Sequence, residues 1–164
     1  MRDSKHPQMN TEVEHPVLAI DHGDARMGIA ATDPVGIMAH PVETIQMKVF
    51  DPIERIAQLV SQRQVKTMVI GLPLRMDGTE GTSALKIRKF ANELKRRLPN
   101  TPLHYCDETL TTVAASDKLY QAGIRGKKGA IKHKKLIDQA SAVEILNKWL
   151  GFNEEMWDGS YGPE

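Results

Sequence analysis

The chain has 164 residues, of which 40% are hydrophobic and 26% charged, and its formal net charge is +1. This length suits one domain with a buried core, and the composition is ordinary for a globular protein. No uncharged segment approaches the roughly 18 residues of a membrane span, and the polar N-terminus is unlike a signal peptide. The single cysteine, Cys106, excludes an internal disulfide and a multi-cysteine metal site, and it favours a reducing compartment, the cytoplasm.

The small net charge hides a strong asymmetry along the chain. Residues 84–135 carry 13 Lys or Arg against 4 Asp or Glu, whereas the other residues carry 9 against 17. A segregation of this size predicts a basic surface for an anionic partner. Solvated, lysine-rich helix faces would give the same composition, so the charge alone leaves both interpretations open.

Three short β-prone segments come first, after a polar stretch over residues 1–15 that we expect to be a flexible tail. They cover Val17–Asp21, Met27–Asp33 and about Ala39–Ile45, and turns that contain glycine or proline separate them. Strands this close in sequence predict an antiparallel meander.

Helices and strands alternate after the meander. Asp51 and Pro52 open an amphipathic helix, and the apolar run Thr67–Leu72 is typical of a strand that is covered on both faces. A second helix extends to Pro99, and Thr101–Cys106 predicts a fifth strand. The pattern is that of an α/β domain with a mixed five-stranded sheet, in which alternating helices and strands follow the meander and the helices pack against the sheet.

Two further helices are predicted towards the C-terminus. Thr111 or Thr112 can cap the first, and the second covers Leu136–Leu150. Residues 124–135 lie between them as a basic connection. The segment 123–135 contains three glycines and no periodicity, so it predicts a mobile loop.

The chain is therefore expected to form one domain over residues 16–151. A loose acidic tail over residues 152–164 is expected to follow it.

Acidic residues follow two of the predicted strands. Asp21 ends the first strand, and Asp107 and Glu108 follow the fifth. Sites in such sheets form at the carboxyl ends of strands, so Asp21 and Glu108 share an edge if strands one, four and five are neighbours. Asp138 on the last predicted helix can join them. Three carboxylates suit a hard divalent cation, Mg²⁺ or Mn²⁺, which can activate water for phosphodiester hydrolysis.

Each acid also has a simpler interpretation when it is taken alone. Asp21 can cap the turn that contains Gly23, as aspartate often does. Asp107 or Glu108 can favour the start of a helix through its charge. Asp138 can pair with a neighbouring lysine. The metal interpretation depends on the three acids together and on the strand order.

Four motifs in the same order resemble those of the YqgF family, the RuvC-like branch of the ribonuclease H-fold nucleases. The resemblance covers about residues 17–150. It is carried by Asp21, Gly23, Arg26 and Gly28; by Ile70, Gly71, Leu72 and Pro73 with Asp77 and Gly78; by Asp107, Glu108, Thr109, Leu110, Thr111 and Thr112; and by Asp138, Ala140, Ser141, Ala142, Ile145 and Leu146.

The resemblance implies a ribonuclease H-like fold and a metal-dependent nuclease whose catalytic and metal-binding acids are Asp21, Glu108 and Asp138. Members of the family have been described as nucleases that mature the 5′ end of pre-16S rRNA and as Holliday junction resolvases. Processing of pre-rRNA, with ribosomal assembly intermediates as partners, is favoured here over cleavage of branched DNA. A catalytically silent RNA-binding module is a further alternative. An actin-like or sugar-kinase ATPase also has the first motif, but it needs a second half that this chain is too short to supply.

One position departs from the family pattern, because Thr109 stands where the family has arginine. If that arginine holds phosphate, other cations must replace it here. The candidate nucleic-acid-binding residues are Arg26, Arg125, Lys127, Lys128, Lys132 and Lys134. Gly23, which leaves room for a close approach, and Asp107, which competes with Glu108 as the ligand, are further candidate site residues. A monomer and a homodimer both stay open.

Overall fold

A computed structural model describes the backbone of residues 13–108 and 126–151, and all of their side chains except those of residues 126–135. Several predictions fall elsewhere in the chain. The helix capped by Thr111 or Thr112, the C-terminal tail over residues 152–164, and the roles of Thr109 and Arg125 lie outside the described residues.

The described residues form five strands and three helices in the predicted order. In chain order these are β1 Val17–His22, β2 Arg26–Thr32, β3 Ala39–Gln46, α1 Pro52–Arg63, β4 Thr67–Leu72, α2 Thr82–Arg97, β5 Leu103–Asp107 and α3 Gly126–Leu150. The predicted start of α1 is confirmed: the side chain of Asp51 accepts a hydrogen bond from the backbone N–H of Ile53, and Pro52 follows in the first turn.

The sheet has the strand order β3-β2-β1-β4-β5. β1, β2 and β3 pair antiparallel as the predicted meander, whereas β1 pairs parallel with β4 and β4 pairs parallel with β5. The neighbouring positions of β1, β4 and β5 are the condition on which the site prediction depended. Because β3 runs parallel to β1, all four of these strands end at one edge of the sheet, which we call the site edge.

The two faces of the sheet carry different side chains. α1 and α2 cover one face, where large aliphatic residues such as Leu18, Ile29 and Ile70 are fully buried. α3 covers the other face, where smaller residues such as Ala19 and Ala30 contact it. The alternation of side chains along each strand therefore sorts the strand residues between a bulky face and a small-residue face.

The prediction of a mobile loop over residues 123–135 is wrong for residues 126–135. These residues form the first turns of α3, which begins ten positions before the predicted Leu136. Once the C-terminal part of a helix is packed on a sheet, extending it backwards adds a hydrogen bond for each residue that is fixed, so a weak local pattern is sufficient. In the part of the chain that the structure describes, no helix is both long and apolar enough to span a membrane.

Candidate active site

Asp21 occupies the fifth position of β1 and lies on the small-residue face. Val17 and Ala19 of the same strand belong to the apolar cluster beneath α3, and every second side chain of a strand points to the same face. The apolar pattern of β1 thus ends in a carboxylate that is directed towards α3 at the site edge.

Gly28 brings α3 next to this carboxylate. It is the cross-strand partner of Asp21 in the β1–β2 pairing. A Cβ atom at Gly28 would collide with the backbone carbonyl of Asp138, so only glycine lets α3 pass this close to the sheet. Glycine inside a strand often marks such an approach of another backbone. Asp138 therefore lies above β2, beside Asp21.

Gly71 leaves space for Glu108 on the opposite side of Asp21. Ile70 pairs with Ile20, so the next residue of β4 lies beside Asp21. A Cβ at Gly71 would lie 2.5 Å from Oε1 of Glu108 and 2.6 Å from Cδ1 of Ile145. The Glu108 carboxylate therefore occupies the space above Gly71. Glu108 is only 8% exposed in this position.

These positions bring three acids together. Burial raises the pKa of Asp21 well above its ordinary value, and the negative charges of Glu108 and Asp138 raise it further. A bound cation would neutralise part of the combined negative charge and so stabilise the ionised form of Asp21. The sequence-based prediction of a metal site requires such a concentration of negative charge at Asp21, Glu108 and Asp138.

Arg26 supplies a positive charge at one side of the three acids. Its Nε donates a hydrogen bond of 2.8 Å to Oδ2 of Asp138, and both side chains are partly buried. Arg26 is the first residue of β2, and the preceding turn is tight because a Cβ at Gly23 would lie 2.5 Å from the backbone oxygen of Arg26. The absence of a side chain at Gly23 therefore allows the turn that places Arg26 next to Asp138.

Asp107 lies on the opposite side of β5 from Glu108. Cys106 is packed beneath α3, so alternation directs the side chain of Asp107 away from that face and that of Glu108 back towards it. Asp107 is exposed, and its backbone oxygen accepts a hydrogen bond of 2.7 Å from Nζ of Lys148. Of the two adjacent acids, the structure brings Glu108 to Asp21.

The loop after β4 stands at the rim of the site edge. Leu74 and Glu80 pair across its base, and Gly78 has a φ of +87°, a conformation that favours glycine. Glu80 also accepts two hydrogen bonds from Arg88 of α2. The loop is thereby fixed in shape. We call residues 73–81 the rim loop.

Cys106 takes no part in the site. It is buried under α3, and burial raises the pKa of its thiol to about 11. A thiol with such a pKa stays protonated near neutral pH and is a poor nucleophile.

The three acids fit a divalent metal by the chemistry of their donors. Carboxylate oxygens are the ligands that hard cations prefer. The pKa of Asp21 is raised first by burial and then by the negative charges of Glu108 and Asp138, which a cation would neutralise. Within residues 13–108 and 126–151, no group of three or more His, Cys, Asp or Glu side chains is arranged so that it could hold a metal ion. Asp138 is paired with Arg26 instead, so binding of a cation requires this carboxylate to be shared or released.

Sequence reasoning missed the contacts that assemble the site. In the sequence, Gly28 and Gly71 stand out only as motif positions, and the pair between Arg26 and Asp138 joins residues 112 positions apart. The available signal was the occurrence of a glycine inside each of two apolar strands, next to the register position of an acid.

A mixed sheet in this order, with Asp21 on β1, Glu108 after β5 and Asp138 on α3 across its face, has the architecture of the ribonuclease H-like class. A profile of the family described as "RuvX: Holliday junction resolvase" matches residues 15–151. The chain therefore belongs to the RuvX family, also called YqgF, and it hydrolyses phosphodiester bonds with the divalent-metal dependence of that fold.

Two named relatives, from Streptomyces avermitilis and Acetivibrio thermocellus, agree with this assignment. A protein of Streptomyces avermitilis called "Putative pre-16S rRNA nuclease" is 45% identical over 134 residues, which are 81% of this chain and 83% of the relative. A protein of Acetivibrio thermocellus with the same name is 42% identical and covers 82% and 94% of the two chains. Among solved structures, Thermus thermophilus RuvC aligns with 84% of this chain and 97% of its own at 12% identity and a TM-score of 0.45.

Proposed function

We propose that this protein processes the 5′ end of pre-16S rRNA in the cytoplasm, and that Asp21, Glu108 and Asp138 are its catalytic acids. The observation that carries the proposal is the pair of glycines beside Asp21, each of which leaves the space that another acid occupies. The names of the relatives from Streptomyces avermitilis and Acetivibrio thermocellus support rRNA as the substrate.

The three carboxylates would hold Mg²⁺, or Mn²⁺ in its place. When bound, such an ion lowers the pKa of its water and stabilises the leaving oxygen of a phosphodiester. The chain's own residues contribute position: β1 fixes Asp21 at the centre, Gly71 gives Glu108 its space, and Arg26 holds Asp138 against β2. Asp107 stays outside this group in the proposal.

Cations around the acids would hold the substrate backbone. Arginine has five N–H donors, and the contact between Arg26 and Asp138 uses one of them, so Arg26 can also donate to a phosphate. Lys127, Lys128, Lys132 and Lys134 lie on the first turns of α3, before Asp138 in the same helix. Together with Arg125, they are proposed to neutralise phosphates, and such contacts position a nucleic acid without reading its sequence.

Cleavage of a four-way DNA junction is the second candidate function, because the family description names a Holliday junction resolvase. Symmetric resolution of a junction needs two active sites and hence a homodimer. Trimming of one RNA strand needs only the acids of a single chain, and all three proposed acids belong to one chain. Binding to ribosomal assembly intermediates follows from the first candidate.

A direct comparison of the two substrates tests the proposal. Purified protein with Mg²⁺ or Mn²⁺ is given a pre-16S 5′ fragment and a four-way DNA junction, with Asp21→Asn as the control. We expect metal-dependent cleavage of the RNA and none by the variant. Cleavage of the junction alone would favour the resolvase. Metal-independent RNA binding without cleavage would favour a silent assembly module and contradict the proposed nuclease.

A further inference from the structure

Exposed apolar side chains, Val49 and Phe50 after β3 and Met76 after β4, flank the acids along the site edge. Phe50 follows β3 and is 53% exposed, and Met76 in the rim loop after β4 is 89% exposed. In the sheet order, β2 and β1 lie between the strands that these residues follow. Exposed apolar side chains grouped at a site, rather than scattered over a surface, indicate a binding role.

The position of Phe50 is fixed by the site itself. Gln46 ends β3 as the cross-strand partner of Arg26, and its backbone oxygen accepts hydrogen bonds from the N–H groups of Val49 and Phe50. The N–H of Met47 donates to Ala25, which precedes Arg26. The turn that presents Phe50 is therefore tied to the segment that carries the ion pair with Asp138.

Each apolar side chain has an exposed cation close to it in the chain. Lys48 precedes Phe50 by two positions, and Arg75 directly precedes Met76. A pairing of apolar surface with positive charge suits a nucleotide, whose base is flat and apolar on its faces and whose phosphate is anionic. Proteins that bind single strands combine aromatic platforms for bases with cations for the backbone in this way.

Adjacent strands of a sheet are about 4.8 Å apart, so β3 and β4 leave the sheet about 14 Å from each other. A nucleic-acid strand that crosses the site edge between them would lay its backbone over the acids and reach Phe50 and Met76 with its bases. In a duplex the faces of these bases are stacked inside the helix and cannot reach Phe50.

We propose that Phe50, supported by Met76, packs against unpaired bases next to the cleavage site, so that the substrate is single-stranded there. This inference rests on the proposed function and specifies the substrate class of the same site. Phe50 acts here as a binding residue and has no part in the chemistry at the acids.

Binding without cleavage tests the inference. A fluorescein-labelled 16-nucleotide RNA, alone or annealed to its complement, is titrated with protein in EDTA at fixed salt, and anisotropy gives the dissociation constant. Phe50→Ala should weaken binding of the single strand about tenfold and leave duplex binding unchanged, and Phe50→Trp should retain single-strand binding. Ile37→Ala is the matched control, because Ile37 is 68% exposed on the turn between β2 and β3, at the opposite edge of the sheet.

The outcomes separate this inference from the proposed function. Unchanged single-strand binding by Phe50→Ala, an equal loss with the duplex, or an equal loss with Ile37→Ala would overturn the role of Phe50. Wild-type protein that binds RNA but cuts neither RNA nor junction DNA would overturn the proposed function instead, whatever Phe50→Ala does in EDTA.

Discussion

The two faces of the sheet are built from the same five strands but from different side chains. Beneath α1 and α2, Leu18, Ile20 and Met68 are fully buried and fill the space with bulk. Beneath α3 the strands carry Ala19, small neighbours and the two glycines. Bulk keeps a helix at a distance, whereas small residues let it approach. The small-residue face therefore brings α3, and with it Asp138, to the end of β1.

A substitution on the bulky face should lower the stability of the protein and leave its cleavage rate nearly unchanged. Leu18→Ala removes a fully buried side chain on the face of the sheet that points away from α3. We therefore expect a loss of about 3–4 kcal/mol of unfolding free energy and a fall in Tm of about 10 °C. The metal-dependent cleavage rate of the folded fraction should stay within about twofold of wild type. Urea unfolding together with single-turnover cleavage below the Tm measures both, and a large loss of rate at full folding would contradict the separation of the faces.

Gly28→Ala should disturb the packing of α3 on the small-residue face. The added methyl group meets the backbone of α3 rather than a flexible side chain, so we expect a loss of about 3 kcal/mol. Gly81→Ala is the matched control, because its nearest neighbours are side-chain atoms of Arg75 at 3.3–3.5 Å, which can move. Thermal unfolding of the two variants measures the difference. Equal stability would mean that α3 does not rest on Gly28.

Gly71→Ala should affect activity more than stability. The methyl group meets the Glu108 carboxylate and the end of the Ile145 side chain, and both can rotate away at a cost of about 1 kcal/mol. Because Glu108 must move, we expect cleavage to fall about tenfold at saturating metal. Denaturant unfolding and cleavage rates are compared for this variant. Full activity would show that the position of Glu108 above Gly71 is unimportant.

The docking of α3 can be followed through the one cysteine. The pKa of Cys106 is raised to about 11 by burial, so the thiolate is scarce at pH 8 and its reaction with iodoacetamide should be much slower than that of a free cysteine, whose pKa is about 8.5. The rate should rise with pH up to about 11. Gly28→Ala should speed the labelling, which mass spectrometry measures, whereas Leu18→Ala should do so less. Rapid labelling of wild type at pH 7 would contradict a packed α3.

Much of this architecture follows from local sequence patterns. Apolar runs that end in an acid, turns with glycine, and the cap at Asp51 predict the strands and α1 within one or two residues. Local patterns could not decide between Asp107 and Glu108. The predicted fifth strand ended at Cys106, and only its pairing with β4 and the packing of Cys106 under α3 show which acid faces Asp21.

The remaining features depend on contacts between distant parts of the chain. The pair between Arg26 and Asp138 and the fit of α3 over Gly28 require the final packing, which no window of sequence contains. The early start of α3 at Gly126 has the same cause, since docking of the later turns supports a segment that has little periodicity of its own.

The most direct test of the account uses the two adjacent acids that the sheet directs to opposite faces. Glu108→Gln and Asp107→Asn each remove one carboxylate charge while keeping the size of the side chain. The account predicts that Glu108→Gln lowers single-turnover RNA cleavage in Mg²⁺ by about 1,000-fold, on the order of 4 kcal/mol in the barrier, with little change in Tm. Asp107→Asn should stay within about threefold of wild type. The reverse result, an inactive Asp107→Asn beside an active Glu108→Gln, would contradict the assignment of the small-residue face as the catalytic one.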